Sequence, residues 1–247
     1  MAKYRSVFIS DVHLGTISSK ARELHEFLEE NTCENLYLVG DIVDGWLLKK
    51  NYFWPRTHSK VIKKFLSLAK EGTNVYYITG NHDDFLRGFT GFGLSFGDVK
   101  VYDEIIHETP DGDKYLVVHG DTFDKLVKPG PISKFFGFFG SLLYHLAFNI
   151  SMLVNFLFKP LKVSRWSLTE TTKKLLRIDL LPFLTDYEKR MVEYVKRREC
   201  KGIVCGHIHK PEIRQIGDIT YMNDGDWVKS KSAVVENHDG TFDLIYY

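Results

Sequence analysis

The chain has 247 residues, 44% of them hydrophobic and 26% charged, with a formal net charge of +1, so it can bury a large core and is not a uniformly basic or acidic binding protein. Its three cysteines, Cys33, Cys200 and Cys205, lack CxxC spacing, which excludes a disulfide framework and a thiolate zinc site. In chain order, the apolar runs SVFIS, LYLVG, VYYITG, YLVVHG and GIVCG each end abruptly in glycine or polar residues, as buried strands with functional tips do. Between the first three runs, residues 19–32 and 59–72 carry Leu24, Phe27 and Leu28, then Val61, Ile62, Phe65, Leu66 and Ala69, at helical spacing. Toward the C-terminus, TYMND, SAVVENHDGT and FDLIYY read as hairpin strands, with Asp239-Gly240 at a turn. The expected fold is α/β, an α+β sandwich in which two packed mixed β-sheets are flanked by helices. Residues 1–124 and 200–247 form its catalytic domain, and 125–199 an inserted helical cap.

Five polar clusters follow the five runs: Asp11-Val12-His13, Gly40-Asp41-Ile42-Val43-Asp44, Gly80-Asn81-His82-Asp83, His119-Gly120-Asp121 and Gly206-His207-Ile208-His209. Carboxylate and amide oxygens together with imidazole nitrogens suit Mn²⁺, Fe, Zn²⁺ or Mg²⁺. The Asp-x-His and His-x-His spacings would place two ligands on one side of an extended segment, since side chains alternate along a strand. Asp83 and Asp121 are expected to fix loop geometry or to orient a ligand histidine. His25, His58, His107 and His238 lie outside the clusters and read as surface or satisfied polar groups.

The ordered set DVH, GDIVD, GNHD, HGD and GHIH resembles the calcineurin-like metallophosphoesterase superfamily, over Asp11 to His209. The resemblance implies a centre of two divalent metal ions, with Mn²⁺ the preferred occupant. Asp11, His13, Asp41 and His209 would hold one ion; Asp41, Asn81, His119 and His207 would hold the other, with Asp41 between them. Two such ions, roughly 3.5 to 4 Å apart, would activate a bridging hydroxide for direct attack at phosphorus. His82 is similar to the superfamily histidine that contacts the phosphate or protonates the leaving oxygen, and Asp44 to the aspartate that orients it.

Within the superfamily, DVHLG, GDIVDGW, VSRWSLTETTKKLL and the tail Tyr221–Val228 resemble the UDP-2,3-diacylglucosamine diphosphatase branch of lipid A biosynthesis. That resemblance implies a lipid-linked or nucleotide-linked phosphate substrate, with Asn81, His82, Arg165 and Lys173 in substrate binding. One position departs from the pattern. Lipid A enzymes carry arginine after the metal-binding asparagine, whereas this chain has His82, which suits a less acidic leaving group.

The stretch from Phe135 to Phe158 has no Asp, Glu, Lys or Arg, yet residues 125–178 carry nine Lys or Arg against the single acid Glu170. A membrane crossing there would separate His119 from His207 and His209, so no transmembrane span is expected. Two readings stay open for this cap: an apolar surface packed on the catalytic domain, or one that takes acyl chains or meets an anionic membrane surface. No nucleic-acid partner is expected, because nucleic-acid grooves interleave basic and aromatic residues instead of presenting a long uncharged run. The N-terminal residues lack the pattern of a signal peptide, so a cytoplasmic location, peripheral on the inner face of the membrane, is the expectation. The alternatives are a metallophosphoesterase of soluble substrates (a nuclease, cyclic-nucleotide phosphodiesterase or phosphatase) and a non-catalytic membrane-docking module.

Overall fold

The computed structural model describes residues 3–124 and 186–247. The chain divides into two compact units, one of residues 1–122 with 191–247 and the other of residues 123–190. The Phe135–Phe158 run, the candidate substrate contacts Arg165 and Lys173, and most of the expected cap lie outside the described residues. Of that stretch, residues 186–197 are helical.

The first unit is built on two sheets. Strands β1 (Tyr4–Ile9), β2 (Cys33–Val39) and β3 (Asn74–Ile78) pair in parallel, joined by helices α1 (Ala21–Glu30) and α3 (Arg56–Lys70), with the short α2 (Gly45–Leu48) after β2. β4 (Ser95–Phe96) and β5 (Val99–Tyr102) extend one side of this sheet, and the antiparallel pair β11 (Ser232–Glu236) and β12 (Phe242–Tyr246) extends the other. The order is β12-β11-β1-β2-β3-β5-β4. The second sheet contains β6 (Glu104–Glu108), β7 (Lys114–Val118), β8 (Gly202–Cys205), β9 (Glu212–Ile216) and β10 (Ile219–Asn223), in the order β6-β7-β8-β10-β9. Parallel and antiparallel pairs occur in both sheets, so the expected pair of mixed sheets flanked by helices is what the chain forms.

The period-two alternation of strand side chains explains the two cores. Val7 and Ile9 of β1, Leu36 and Leu38 of β2, and Ala233 and Val235 of β11 pack with Leu24, Phe27 and Leu28 of α1 and Val61, Phe65 and Leu68 of α3. The residues between them, Phe8, Tyr37, Val39 and Val234, turn the other way and meet Tyr115, Val117, Val204 and Met222 of the second sheet. Buried on both faces, the central strands leave only their ends for polar chemistry, and the five polar clusters sit there.

A polar bolt also joins the sheets. Glu236 of β11 is fully buried and accepts from Arg5 Nη1 at 2.5 Å and Ser6 Oγ at 2.6 Å, and lies 2.9 Å from His107 Nε2 of β6. His107 Nδ1 in turn lies 2.9 Å from the Tyr37 hydroxyl. His107 is thus the satisfied polar residue expected. So is His58, which accepts from Gly15 N at 3.0 Å.

Candidate metal centre

The ligand candidates lie just past the strand ends, and the backbone of five of them is not extended. Asp11 (φ 50°), His13 (φ 49°), Asp41 (φ 53°), His207 (φ 67°) and His209 (φ 53°) all occupy the left-handed region. Strand alternation therefore does not explain the Asp-x-His and His-x-His spacings. Successive left-handed turns bring these side chains around, at a conformational cost of about 1 kcal/mol or more per residue. Two glycines let the loops close. A Cβ at Gly80 would overlap the Asp41 carboxylate and backbone N, and one at Gly206 would overlap Ser10 Oγ and Asp11 Oδ2.

Asp11 is fully buried. Its Oδ2 accepts from Ser10 Oγ (2.6 Å) and from His207 N (2.9 Å), while Oδ1 lies 3.0 Å from His209 Nε2 and 3.6 Å from His13 Nε2. Asp41 is central to a second grouping. Its Oδ2 lies 3.3 Å from His119 Nε2, 3.9 Å from His82 Nε2 and 4.0 Å from His13 Nε2, while Oδ1 accepts from His82 N at 2.7 Å. Ligand-capable atoms of Asp11, His13 and His209, of His13, Asp41 and His82, and of Asp11, Asp41 and His119 lie within 4.8 Å of one another in each group. The His207 ring stands 5.2 Å from that of His119, and buried Asn81 sits in the loop between Gly80 and His82. All seven candidate ligands are thus brought to the same cluster of loops.

The donor set fits divalent cations. Asp11 Oδ1, Asn81 Oδ1 and His119 Nε2 are buried without a well-aligned hydrogen bond, Asp11 Oδ1 and His119 Nε2 having only the ionic contacts to His209 and Asp41, a costly state that a cation would relieve. His119 Nδ1 donates to Val39 O at 2.8 Å, which leaves Nε2 free to ligate. Burial pushes the His119 imidazole down, but the carboxylates of Asp41 and Asp11 outweigh it and hold its pKa well above the usual histidine range. Burial likewise opposes charge on Asp41, yet neighbouring His119 lowers that carboxyl to about 2. Carboxylates that stay ionised and stabilise positive charge on a neighbouring imidazole stabilise a metal ion in the same way.

His82 sits at the rim. Its Nδ1 is 3.0 Å from Asp44 Oδ2, and the same oxygen lies 3.4 Å from His13 Nδ1. Asp44 Oδ1 also caps α2 by accepting from Leu47 N at 2.7 Å. Burial raises the Asp44 carboxyl, but hydrogen bonds from His13 and His82 hold it below the usual range. Half-exposed Trp46 lies against His82 with ring centroids 4.3 Å apart.

Asp83 and Asp121 both fix loops. Asp83 accepts from Gly80 N at 2.5 Å, Ile42 N at 3.0 Å and the Tyr77 hydroxyl at 2.6 Å, and Asp121 pairs with Arg87. Sequence reasoning assigned no role to Ser10, Arg87, Asp224 or Asp226. Asp224 Oδ1 lies 2.5 Å from Ser10 Oγ, and Asp226 Oδ2 lies 3.8 Å from His209 Nδ1. The tail NDGDW held the only local signal for these two aspartates, a pair of acids around a glycine.

The calcineurin-like phosphoesterase family model matches residues 4–211. The chain belongs to this family. It is accordingly a metal-dependent phosphoester hydrolase. A UDP-2,3-diacylglucosamine hydrolase from Wigglesworthia glossinidia brevipalpis is 28% identical over 247 residues, covering 94% of this chain and 90% of the relative. The enzyme of that name from Histophilus somni is 27% identical over 245 residues, covering 96% and 97%. Among solved structures, Yfce, a phosphoesterase from E. coli, aligns with a TM-score of 0.43 and 14% identity over 98% of both chains.

Proposed function

We propose that this phosphoesterase uses a dinuclear centre to hydrolyse a pyrophosphate or phosphodiester bond in a lipid-linked nucleotide of the UDP-2,3-diacylglucosamine type. The observation that carries the reading is the convergence of Asp11, His13, Asp41, Asn81, His119, His207 and His209, with three of their buried ligand atoms lacking a well-aligned hydrogen bond. Asp11, His13, Asp41 and His209 would hold one ion and Asp41, Asn81, His119 and His207 the other. Mn²⁺ is the preferred occupant, and Fe, Zn²⁺ and Mg²⁺ suit the same donors. Bound cations would supply an ionised solvent nucleophile at neutral pH and neutralise charge on the phosphoryl oxygens. The chain's own residues do the rest. Asn81 and His82 contact the phosphate at the rim, Asp44 orients His82 through its Nδ1, and His82 Nε2 faces the leaving oxygen to give it a proton.

Residues 125–199 would form the cap, with Arg165 and Lys173 meeting the phosphates and the apolar run taking acyl chains or the membrane surface. Among the described residues no helix is long and apolar enough to cross a membrane. The location proposed with this substrate is cytoplasmic, peripheral on the inner face of the membrane. The relatives named as UDP-2,3-diacylglucosamine hydrolases support the substrate class.

The test is Mn²⁺-dependent conversion of UDP-2,3-diacylglucosamine to UMP and the acylated sugar phosphate, followed by mass spectrometry. Asp41→Asn is expected to lower turnover at least about a hundredfold. Full activity after exhaustive chelation would overturn the mechanism. His82, standing where the lipid A enzymes carry arginine, favours a second reading, a diester with a poorer leaving group. Rapid hydrolysis of soluble alkyl phosphodiesters with no turnover of the acylated nucleotide sugar would establish it.

A further inference from the structure

We propose that Arg87 is a positioning residue that clamps the loop carrying Asn81 to the loop carrying His119 and so sets the affinity of the second ion. The inference rests on the two-ion reading above. Arg87 makes a bidentate pair with Asp121, Nη1 to Oδ2 and Nη2 to Oδ1, both at 2.8 Å. The same guanidinium reaches back to Thr79, with Nε donating to Oγ1 and Nη2 to the backbone oxygen, each at 3.2 Å. Thr79 and Asp121 are buried, so both ends of the clamp are anchored in packed structure. Thr79 stands two residues before Asn81, and Asp121 two residues after His119.

The topology leaves a place for such a link beside the His119 Nδ1 to Val39 O hydrogen bond. Asn81 follows β3 of the first sheet and His119 follows β7 of the second, so no β-ladder fixes their separation. Asn81 Oδ1 and His119 Nε2 are nevertheless both buried without a well-aligned hydrogen bond, as two ligands awaiting one cation would be. Among the described residues, neither Arg87 nor Asp121 hydrogen-bonds to a candidate ligand. The pair acts through two short backbone segments. The planar fork matters as much as the charge, because only a guanidinium can hold a carboxylate by two parallel bonds while its remaining N–H groups hold Thr79.

The test uses the full chain, stripped of metal by chelation and titrated with Mn²⁺ by calorimetry, with electron paramagnetic resonance to distinguish coupled from isolated ions. Wild type is expected to bind two ions and give a coupled signal. Arg87→Met is expected to keep the first ion at wild-type affinity and weaken the second roughly ten- to hundredfold, with the isolated-ion signal replacing the coupled one. Arg87→Lys, which keeps the charge but loses the fork, is expected to move the same way. Asp121→Asn is nearly isosteric, and it supplies the same readout should the Met variant fail to fold. Two ions bound at wild-type affinity by a variant that has only lost thermal stability would overturn the inference, as would equal weakening of both ions. A wild type that saturates with one ion would instead bring down the two-ion reading and this inference with it.

Discussion

Left-handed backbone at five non-glycine ligand candidates marks the residues at which this fold accepts strain. The strain is sustained by hydrogen bonds on either side, such as His207 N to Asp11 Oδ2 and Asp11 N to Gly40 O. Without metal, the cluster instead gathers protons. Burial disfavours charge on His13, but hydrogen bonds to Asp11 and Asp44 outweigh it and raise its pKa to about 10. The folded value lies above the unfolded one, near 6.5, so the stability this proton contributes is complete below pH ~6.5 and is lost as pH rises through ~10. Metal-free protein should therefore melt at progressively lower temperature between pH 7 and 10, and His13→Gln should flatten that slope. An unchanged slope in the variant would show that His13 is not its source. The chemistry of the site was legible from residue types following apolar runs. Its geometry was not, because spacing cannot reveal a positive φ. The Arg87–Asp121 pair joins residues 34 positions apart and leaves no local trace.

At the scale of elements, strands buried on both faces announced themselves. The runs at β1, β2, β3, β7 and β8 are apolar because helices or the opposite sheet cover them. Less buried strands were illegible for the opposite reason: β6 (EIIHE) and β9 (EIRQI) lie at sheet edges with mixed exposure and charged residues, and β4 has only two residues. The polar bolt between the sheets was equally invisible, since Arg5, Tyr37, His107 and Glu236 come from four separate strands. Removing its centre should be expensive, because Glu236→Ala strands Arg5 and His107 without their carboxylate. The expected loss is about 3 kcal/mol of unfolding free energy in urea, with metal stoichiometry unchanged. A variant as stable as wild type would mean that the bolt contributes nothing net.

For the whole molecule, metal binding and folding are one equilibrium. A cation that binds the folded chain and not the unfolded one stabilises it by about 2.7 kcal/mol at a hundred times its dissociation constant. The melting temperature should therefore rise with Mn²⁺ concentration and return to the metal-free value on chelation. A melting curve indifferent to every divalent cation tested would contradict the assignment of the cluster as a metal centre. Charge is also unevenly shared. Residues 125–178 carry a net +8, which leaves −7 for the remainder. On an anionic surface, screening by salt should act first through that segment.

The placement of β8 between β7 and β10 has a consequence for biosynthesis. His207 and His209 leave the ribosome well after the other five ligand candidates, and β8 can dock only once both the stretch ending at β7 and its own residues have emerged. A nascent chain thus offers an incomplete cradle for most of its translation. If the proposed ligand set holds, tight capture of an ion would wait until β8 and the residues after it have folded.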